Sequence, residues 1–163
     1  MPGIFELPLT YTMLFSAAVV GAYCAVRPAL ERDIAVFVFM LMSVLETIWL
    51  FHLTLNLKWA VYETEGVSLA VTSILRAVVR PVLYLFFILA AMSWERIPLR
   101  VAAVIAILGV MHAMDRILVE AGHLKFVHWN YFACMLVNAV MMTLAFLSVK
   151  AFLRYAGRKR VTA

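Results

Sequence analysis

The stretch SLAVTSILRAVVRPVLYLFFILAAMSW, residues 68–94, decides the fold of this chain. It is a long apolar run that two arginines and a proline interrupt. A bilayer core about 30 Å thick needs roughly 20 apolar residues in a helix. Either the whole run is one membrane span, or Val67–Arg80 lies on a surface and Pro81–Trp94 is buried. The second piece makes only about 21 Å of helix, too short to span alone.

The rest of the chain is equally apolar. Of its 163 residues, 66% are hydrophobic and only 14% are charged, and the mean hydropathy is +1.00. A soluble domain typically has about half of its residues apolar and about a quarter charged. We therefore expect no soluble enzyme. Cys24 and Cys134 both lie inside apolar runs, which argues against a disulfide framework and against a zinc site.

Five apolar stretches have the length of a membrane span, and short loops join them. The sequence therefore predicts an all-α integral membrane protein, a single transmembrane domain with no room for a soluble one. The predicted spans are 7–26, 34–57, 68–94, 98–119 and 126–149, followed by a short basic cytoplasmic tail at 150–163.

The distribution of basic residues favours five spans over four. Basic residues concentrate on the cytoplasmic side of membrane proteins. With five spans, nine basic residues lie on one side of the membrane. The other side has Lys58 and Lys125, with Arg116 near its boundary. With four spans, Arg27 and Arg158 would lie on opposite sides. We expect a multi-pass protein of the cell (inner) membrane, with its N-terminus outside. The nine are Arg27, Arg32, Arg96, Arg100, Lys150, Arg154, Arg158, Lys159 and Arg160.

Ionisable residues within the spans are the candidate functional residues. A charge at the centre of a bilayer is costly, so such residues usually face the bundle interior and have partners. At about 1.5 Å per residue, they lie about 17 to 26 Å from the cytoplasmic ends of their helices. We predict that they form one intramembrane polar layer: Glu46, His52, Arg76, Arg80, His112, Asp115, Arg116 and the neutral Asn138.

The third span carries a polar stripe, because Ser68, Thr72, Arg76 and Arg80 recur every four residues and so share a helix face. On the fourth span, the polar-layer residues between 112 and 116 also share a face. Two interpretations stay open. The stripes line a wet cavity that opens to the outside, or they form a buried network of ion pairs.

The ion pairs expected in the second interpretation are Glu46 with Arg80, and Asp115 with Arg76 or Arg116. Such pairs fix packing and register without any transport role. In the first interpretation, the same layer lines a path for an ion, a proton or a small anion. Three arginines against two carboxylates leave the layer with one excess positive charge, which favours an anionic partner.

Two features concern helix packing. Pro81 removes a backbone hydrogen bond and crowds the Ala77 carbonyl, which predicts a kink. Small residues let membrane helices approach closely, and they recur on the first and fourth spans. We expect these stripes to form contacts within the bundle or between subunits: Ala17, Gly21, Ala25, Ala102, Ala106, Gly109 and Ala113.

We expect no cofactor and no metal site. Haem b is an alternative, since two histidines from different helices at one depth can ligate it, and His52 and His112 are the candidate pair. The sequence has neither a catalytic arrangement nor a phosphate-binding glycine loop. The basic tail is explained by topology and lipid head groups, so no nucleic-acid partner is expected.

The first functional hypothesis is an oligomeric channel or pore with the charged layer inside the membrane. The second is a membrane anchor or accessory subunit of a larger complex, which includes a haem-binding form. The third is a small dimeric transporter, although no internal repeat is visible. The partners are therefore the lipid bilayer and either further copies of the chain or the other subunits of a membrane complex.

Overall fold

The structure, a computed structural model, describes residues 3–26, 30–62, 66–93 and 96–161. Within these ranges five helices are long and apolar enough to cross a membrane. Helix α1 is Gly3–Val26, and α2 is Arg32–Phe51 with a π-helical continuation at His52–Asn56. Helix α3 has three parts, which are Gly66–Ile74, a π-helical turn at Leu75–Val79, and Arg80–Ser93. Helix α4 is Ile97–Glu120, and α5 is Tyr131–Val161.

Helix α3 occupies the centre of the bundle. It runs without a break from Gly66 to Ser93, which favours one long span over a surface helix followed by a short buried segment. Of its most apolar stretch, 72% is buried, against 11% in α1 and in α4. All four other helices contact it. The run that is hardest to interpret from sequence is therefore the core around which the fold is built.

The predicted end of the chain needs two corrections. The fifth helix begins at Tyr131 instead of Phe126, because Leu124–Phe126 forms a strand, β2, that pairs antiparallel with β1, Ala60–Tyr62. The basic segment after residue 149, expected as a tail, is also helical, because α5 continues through it to Val161. At about 1.5 Å per residue, a helix of 31 residues is about 46 Å long and exceeds a bilayer core.

The bundle has two chemically different ends. The paired strands bring the α2–α3 and α4–α5 connections together at one end, the strand end. There, the indole rings of Trp59 and Trp129 stack with centroids 5.4 Å apart. At the opposite end, the basic end, Phe37 near the start of α2 stacks on Phe152 of α5. The basic residues of this end include Arg32, Arg96, Arg100, Lys150 and Arg154, whereas Arg27 lies outside the described residues.

A wider helical turn lies just before Pro81. The segment Leu75–Val79 is π-helical, and the Arg80 N–H donates to the carbonyl five residues earlier. Pro81 has no N–H to offer to the Ala77 carbonyl, and the Ser43 hydroxyl of α2 donates to that carbonyl instead, at 3.3 Å. A neighbouring helix thus satisfies the carbonyl that the proline leaves free, as a membrane interior requires.

Both small-residue stripes face outward. We expected them to form contacts within the bundle or between subunits, and the first possibility is wrong for this bundle. A Cβ atom added at Gly21 or Gly109 would meet nothing within 4 Å. All seven residues are exposed: Ala17, Gly21, Ala25, Ala102, Ala106, Gly109 and Ala113.

Candidate functional site: a buried charge cluster

Six polar side chains from four helices meet in the middle of the bundle. We call them the charge cluster. Each is at most 6% exposed, so protein encloses the cluster almost completely. Its members are Glu46 of α2, Arg76, Arg80 and Tyr84 of α3, Asp115 of α4 and Asn138 of α5.

Arg80 is the centre of the cluster. Its Nη2 atom contacts the Asp115 carboxylate. Its Nη1 atom lies 3.0 Å from Oδ1 of Asn138 and 3.3 Å from Oε1 of Glu46. One guanidinium therefore ties α3 to the three helices α2, α4 and α5. The predicted contact between Glu46 and Arg80 is present.

Arg76 and Tyr84 extend the cluster by one helical turn in each direction. Nη1 of Arg76 lies 3.4 Å from Oε2 of Glu46, and its Nη2 lies 3.9 Å from Oδ1 of Asp115. The Tyr84 hydroxyl donates to Oε1 of Glu46 at 2.7 Å. The Glu46 carboxylate therefore accepts bonds from three successive turns of α3.

The buried cluster balances its formal charges, with two guanidinium groups against two carboxylates. The excess positive charge predicted for the layer is wrong, because Arg116 does not join it. Desolvating ions costs several kcal/mol each and is offset only where partners and hydrogen bonds are well placed. Removing any one charge would leave another buried without compensation.

Local periodicity explains how the charges reach the core. On α2, the buried residues Ile34, Val38, Met42 and Glu46 recur every four positions, so the carboxylate continues an apolar inward-facing stripe. On α4, Asp115 belongs to the small buried face that includes Met111 and Leu118. The predicted stripe of α3 is also buried from Ser68 to Arg80. Its two arginines belong to the ion-pair network, and Ser68 bonds to His123 instead.

Three predicted members of the layer lie elsewhere. His52 is exposed, and its Nδ1 atom lies 2.9 Å from Nδ2 of Asn56. His112 is half-buried, with its ring against that of Tyr131. Arg116 is 64% exposed and pairs with Glu120 at 2.7 Å. Of the two partners expected for Asp115, Arg76 is therefore the one present, at 3.9 Å, because Arg116 points away from the buried face of α4.

Two contacts were not anticipated. Tyr84 lies one step beyond the predicted stripe of Ser68, Thr72, Arg76 and Arg80, and the spacing of four residues would have found it. Ser68 bonds across the bundle to Nδ1 of His123 at 2.7 Å. No local sequence signal links these two residues, because 55 positions separate them.

Within the described ranges, no group of three His, Cys, Asp or Glu side chains is placed to hold a metal ion. No protein-family model, curated protein or solved structure matches this chain. Any functional proposal therefore rests on the residues of the chain itself.

Proposed function

We propose that this protein is a subunit of a homo-oligomeric membrane channel or pore and that the charge cluster is its closed gate. The observation that carries the proposal is the meeting of Glu46, Arg76, Arg80 and Asp115 inside an apolar bundle. Ionisable residues are costly within a membrane, and those that persist there commonly mark paths for ions or protons.

Opening requires the arginines and carboxylates to separate. With Arg80 bound to Asp115, Asn138 and Glu46, three helices are tied to α3. Displacing this side chain would expose both carboxylates and the Arg76 guanidinium to any water that enters. Fixed charges in a narrow passage of low dielectric strongly affect which ions pass.

The outward-facing small residues support assembly into an oligomer. Alanine and glycine let the backbones of neighbouring helices approach closely in lipid. Helix α1 offers Ala17, Gly21 and Ala25 on the bundle surface, and α4 offers a second stripe around Gly109. We place both stripes in contacts between copies of the chain.

The orientation is part of the proposal. The basic end carries the arginines and lysines at the start of α2, the start of α4 and the second half of α5. The bias of membrane proteins towards cytoplasmic Lys and Arg assigns this end to the cytoplasm and the strand end to the outside of the cell (inner) membrane.

Ion flux through liposomes tests the gate. Purified wild-type protein should conduct within some range of pH and voltage. Glu46→Gln changes the formal charge of the cluster to +1, and Arg80→Gln changes it to −1. We expect the reversal potential in a salt gradient to shift towards anion selectivity in the first variant and cation selectivity in the second.

Arg116→Gln is the matched control, because it removes the same kind of charge from an exposed pair outside the cluster. In high salt, which screens surface charge, this variant should have the same conductance and ion selectivity as the wild type. If both cluster variants keep the wild-type selectivity, the conducting path lies elsewhere in the molecule.

A second candidate is an anchor or accessory subunit of a membrane complex. The closed, charge-balanced cluster favours it, because such a network also serves purely to fix packing. A wild-type protein that is monomeric and conducts nothing would favour this candidate. Its haem-binding form through His52 and His112 predicts Soret absorption of the purified protein.

The third candidate, a dimeric transporter, differs from a pore in its kinetics. Its flux would saturate with solute concentration, since each cycle moves a bound solute, and its native mass would correspond to two chains. A channel that fits the first proposal would show discrete conductance steps in a planar bilayer.

A further inference from the structure

A groove on the bundle surface leads to the charge cluster from the side. It lies between α2 and α3, and its volume is about 500 Å³. Leu50 and Leu55 line one wall, Leu69 and Thr72 line the other, and Val61 of β1 lies at the strand end. In a membrane, this groove would face the hydrocarbon core, so its occupant would enter from lipid.

Arg76 connects the groove to the cluster. It is the one charged residue among those that line the groove, and it also contacts Glu46 at 3.4 Å. The π-helical turns of α2 and α3 both contribute to the walls, through Leu55 and Arg76. Such turns occur frequently at functional sites.

Thr72 gives the groove an unused hydrogen-bond donor. Thr12, Thr47, Thr54 and Thr143 each donate to the carbonyl four residues earlier in their own helix. The Thr72 hydroxyl is buried and has no hydrogen-bond partner among the described residues. Since a buried polar group without a partner is costly, an occupant that brings an acceptor would favour rotation of this hydroxyl into the groove.

The charge balance of the cluster makes a neutral occupant the best fit. An anion beside Arg76 would also lie close to Glu46 and would add an uncompensated negative charge to a buried site. A cation would meet the Arg76 guanidinium. A neutral carbonyl oxygen accepts hydrogen bonds from Thr72 and Arg76 and leaves the cluster balanced.

The depth of these donors argues against an ordinary membrane lipid. Thr72 and Arg76 lie about 9 and 15 Å from Gly66 at the start of α3, at about 1.5 Å per residue. The helix Gly66–Ser93 is about 40 Å long, so a core about 30 Å thick centred on it places Arg76 about 5 Å and Thr72 about 11 Å from its midplane. The ester groups of glycerolipids sit at the surface of that core, whereas a lipophile dissolved in the core reaches this depth.

We propose that the groove between α2 and α3 binds a neutral lipophile with ring carbonyl groups, of the alkylquinone class, whose carbonyl oxygen accepts hydrogen bonds from Thr72 and Arg76. The inference goes beyond conduction and needs only the proposed membrane placement. The apolar part of the ligand lies against Leu50 and Leu69.

Equilibrium binding to the full chain in nanodiscs tests this site. The probe is a radiolabelled decyl benzoquinone with a fully substituted ring, which leaves no open position for thiol addition. We expect saturable binding of one probe per chain. Thr72→Val removes the hydroxyl with little change of shape and should weaken binding about three- to tenfold, as expected for one lost hydrogen bond.

A second variant fills the groove. Ala77 is exposed and lines the groove beside Arg76, and Ala77→Phe should reduce binding at least about tenfold, because a pocket with its volume filled loses the contacts of the ligand. Ala151→Phe is the matched control on α5, because Ala151 is exposed and no residue of this helix lines the groove, and this variant should bind the probe as the wild type does.

Competition identifies the chemistry of the occupant. Decylbenzene, dodecanoate and diacylglycerol should each compete poorly with the quinone. Equal competition by decylbenzene, better competition by dodecanoate or diacylglycerol, or wild-type binding by Thr72→Val would overturn the proposal. Because the assay measures binding and not ion flux, its result is decisive even if the protein conducts no ions.

Discussion

Arg80 illustrates at the scale of one residue how strongly the bundle depends on paired charges. Its guanidinium contacts Glu46, Asp115 and Asn138, and all four side chains are at most 4% exposed. Breaking a buried ion pair by removing one partner typically costs about 3–5 kcal/mol, whereas removing both partners costs less, since no uncompensated charge remains.

A double-mutant cycle on Glu46 and Arg80 tests this coupling. Glu46→Gln and Arg80→Gln should each lower the free energy of unfolding in detergent by about 3 kcal/mol or more. The double variant restores a balanced cluster, with Arg76 facing Asp115 at 3.9 Å, so it should cost less than the sum. Arg116→Gln should change the stability little. Strict additivity within error would argue that the two side chains do not interact.

The sequence predicted much of the cluster at this scale. Glu46, Arg76, Arg80, Asp115 and Asn138 were recognisable because polar residues in apolar spans must find partners. His52 and Arg116 were misassigned because depth along a helix does not give the direction in which a side chain points. An error of about a third of a helical turn, one residue in 3.6, is enough to turn Arg116 from the cluster to the exposed surface.

At the scale of elements, the π-helical turn of α3 ends directly before Arg80 and Pro81. Ser43 of α2 donates to the Ala77 carbonyl at 3.3 Å, in place of the N–H that proline lacks. The sequence predicted the freed carbonyl but not its partner, because Ser43 lies 34 positions earlier. The position of a π-helical turn also depends on packing against neighbouring helices, which a single sequence does not show.

Replacing Ser43 and Pro81 tests the role of this bond. Ser43→Ala should lower the free energy of unfolding by about 0.5–1.5 kcal/mol, the usual net value of one hydrogen bond. In a Pro81→Ala background, residue 81 has its own N–H for the Ala77 carbonyl, so the same change should cost distinctly less. Thr143→Ala, which removes a hydroxyl bonded within its own helix, serves as the control. Equal costs in both backgrounds would contradict the assignment.

At the scale of the whole molecule, the pairing of β1 with β2 requires the loops after α2 and after α4 to lie at one end. An arrangement of five crossings requires the same, because α3 and α4 cross the membrane in succession and return the chain to the side on which the α2–α3 loop lies. The approximate bounds of the helices followed from apolar length, and their number followed from apolar length together with the distribution of basic residues. The two strands could not be predicted in this way, because a strand of only three residues has no recognisable sequence pattern.

Site-directed labelling tests the orientation. Single cysteines at Thr64 and Thr162, in a background without Cys24 and Cys134, should react with an impermeant reagent from opposite sides of the membrane. Thr64 should be labelled from outside intact cells, and Thr162 only after the cells are opened. Labelling of both sites from the same side would end the five-span arrangement.

The central claim is that α3 crosses the membrane at the centre of the bundle, with its arginines paired inside. A density map of the protein in lipid nanodiscs tests it most directly. Five helices should cross the lipid slab, with α3 enclosed by the other four and the Arg80 side chain between Glu46 and Asp115. A map in which Gly66–Val79 lies along the bilayer surface, or in which Arg80 faces lipid, would contradict the account.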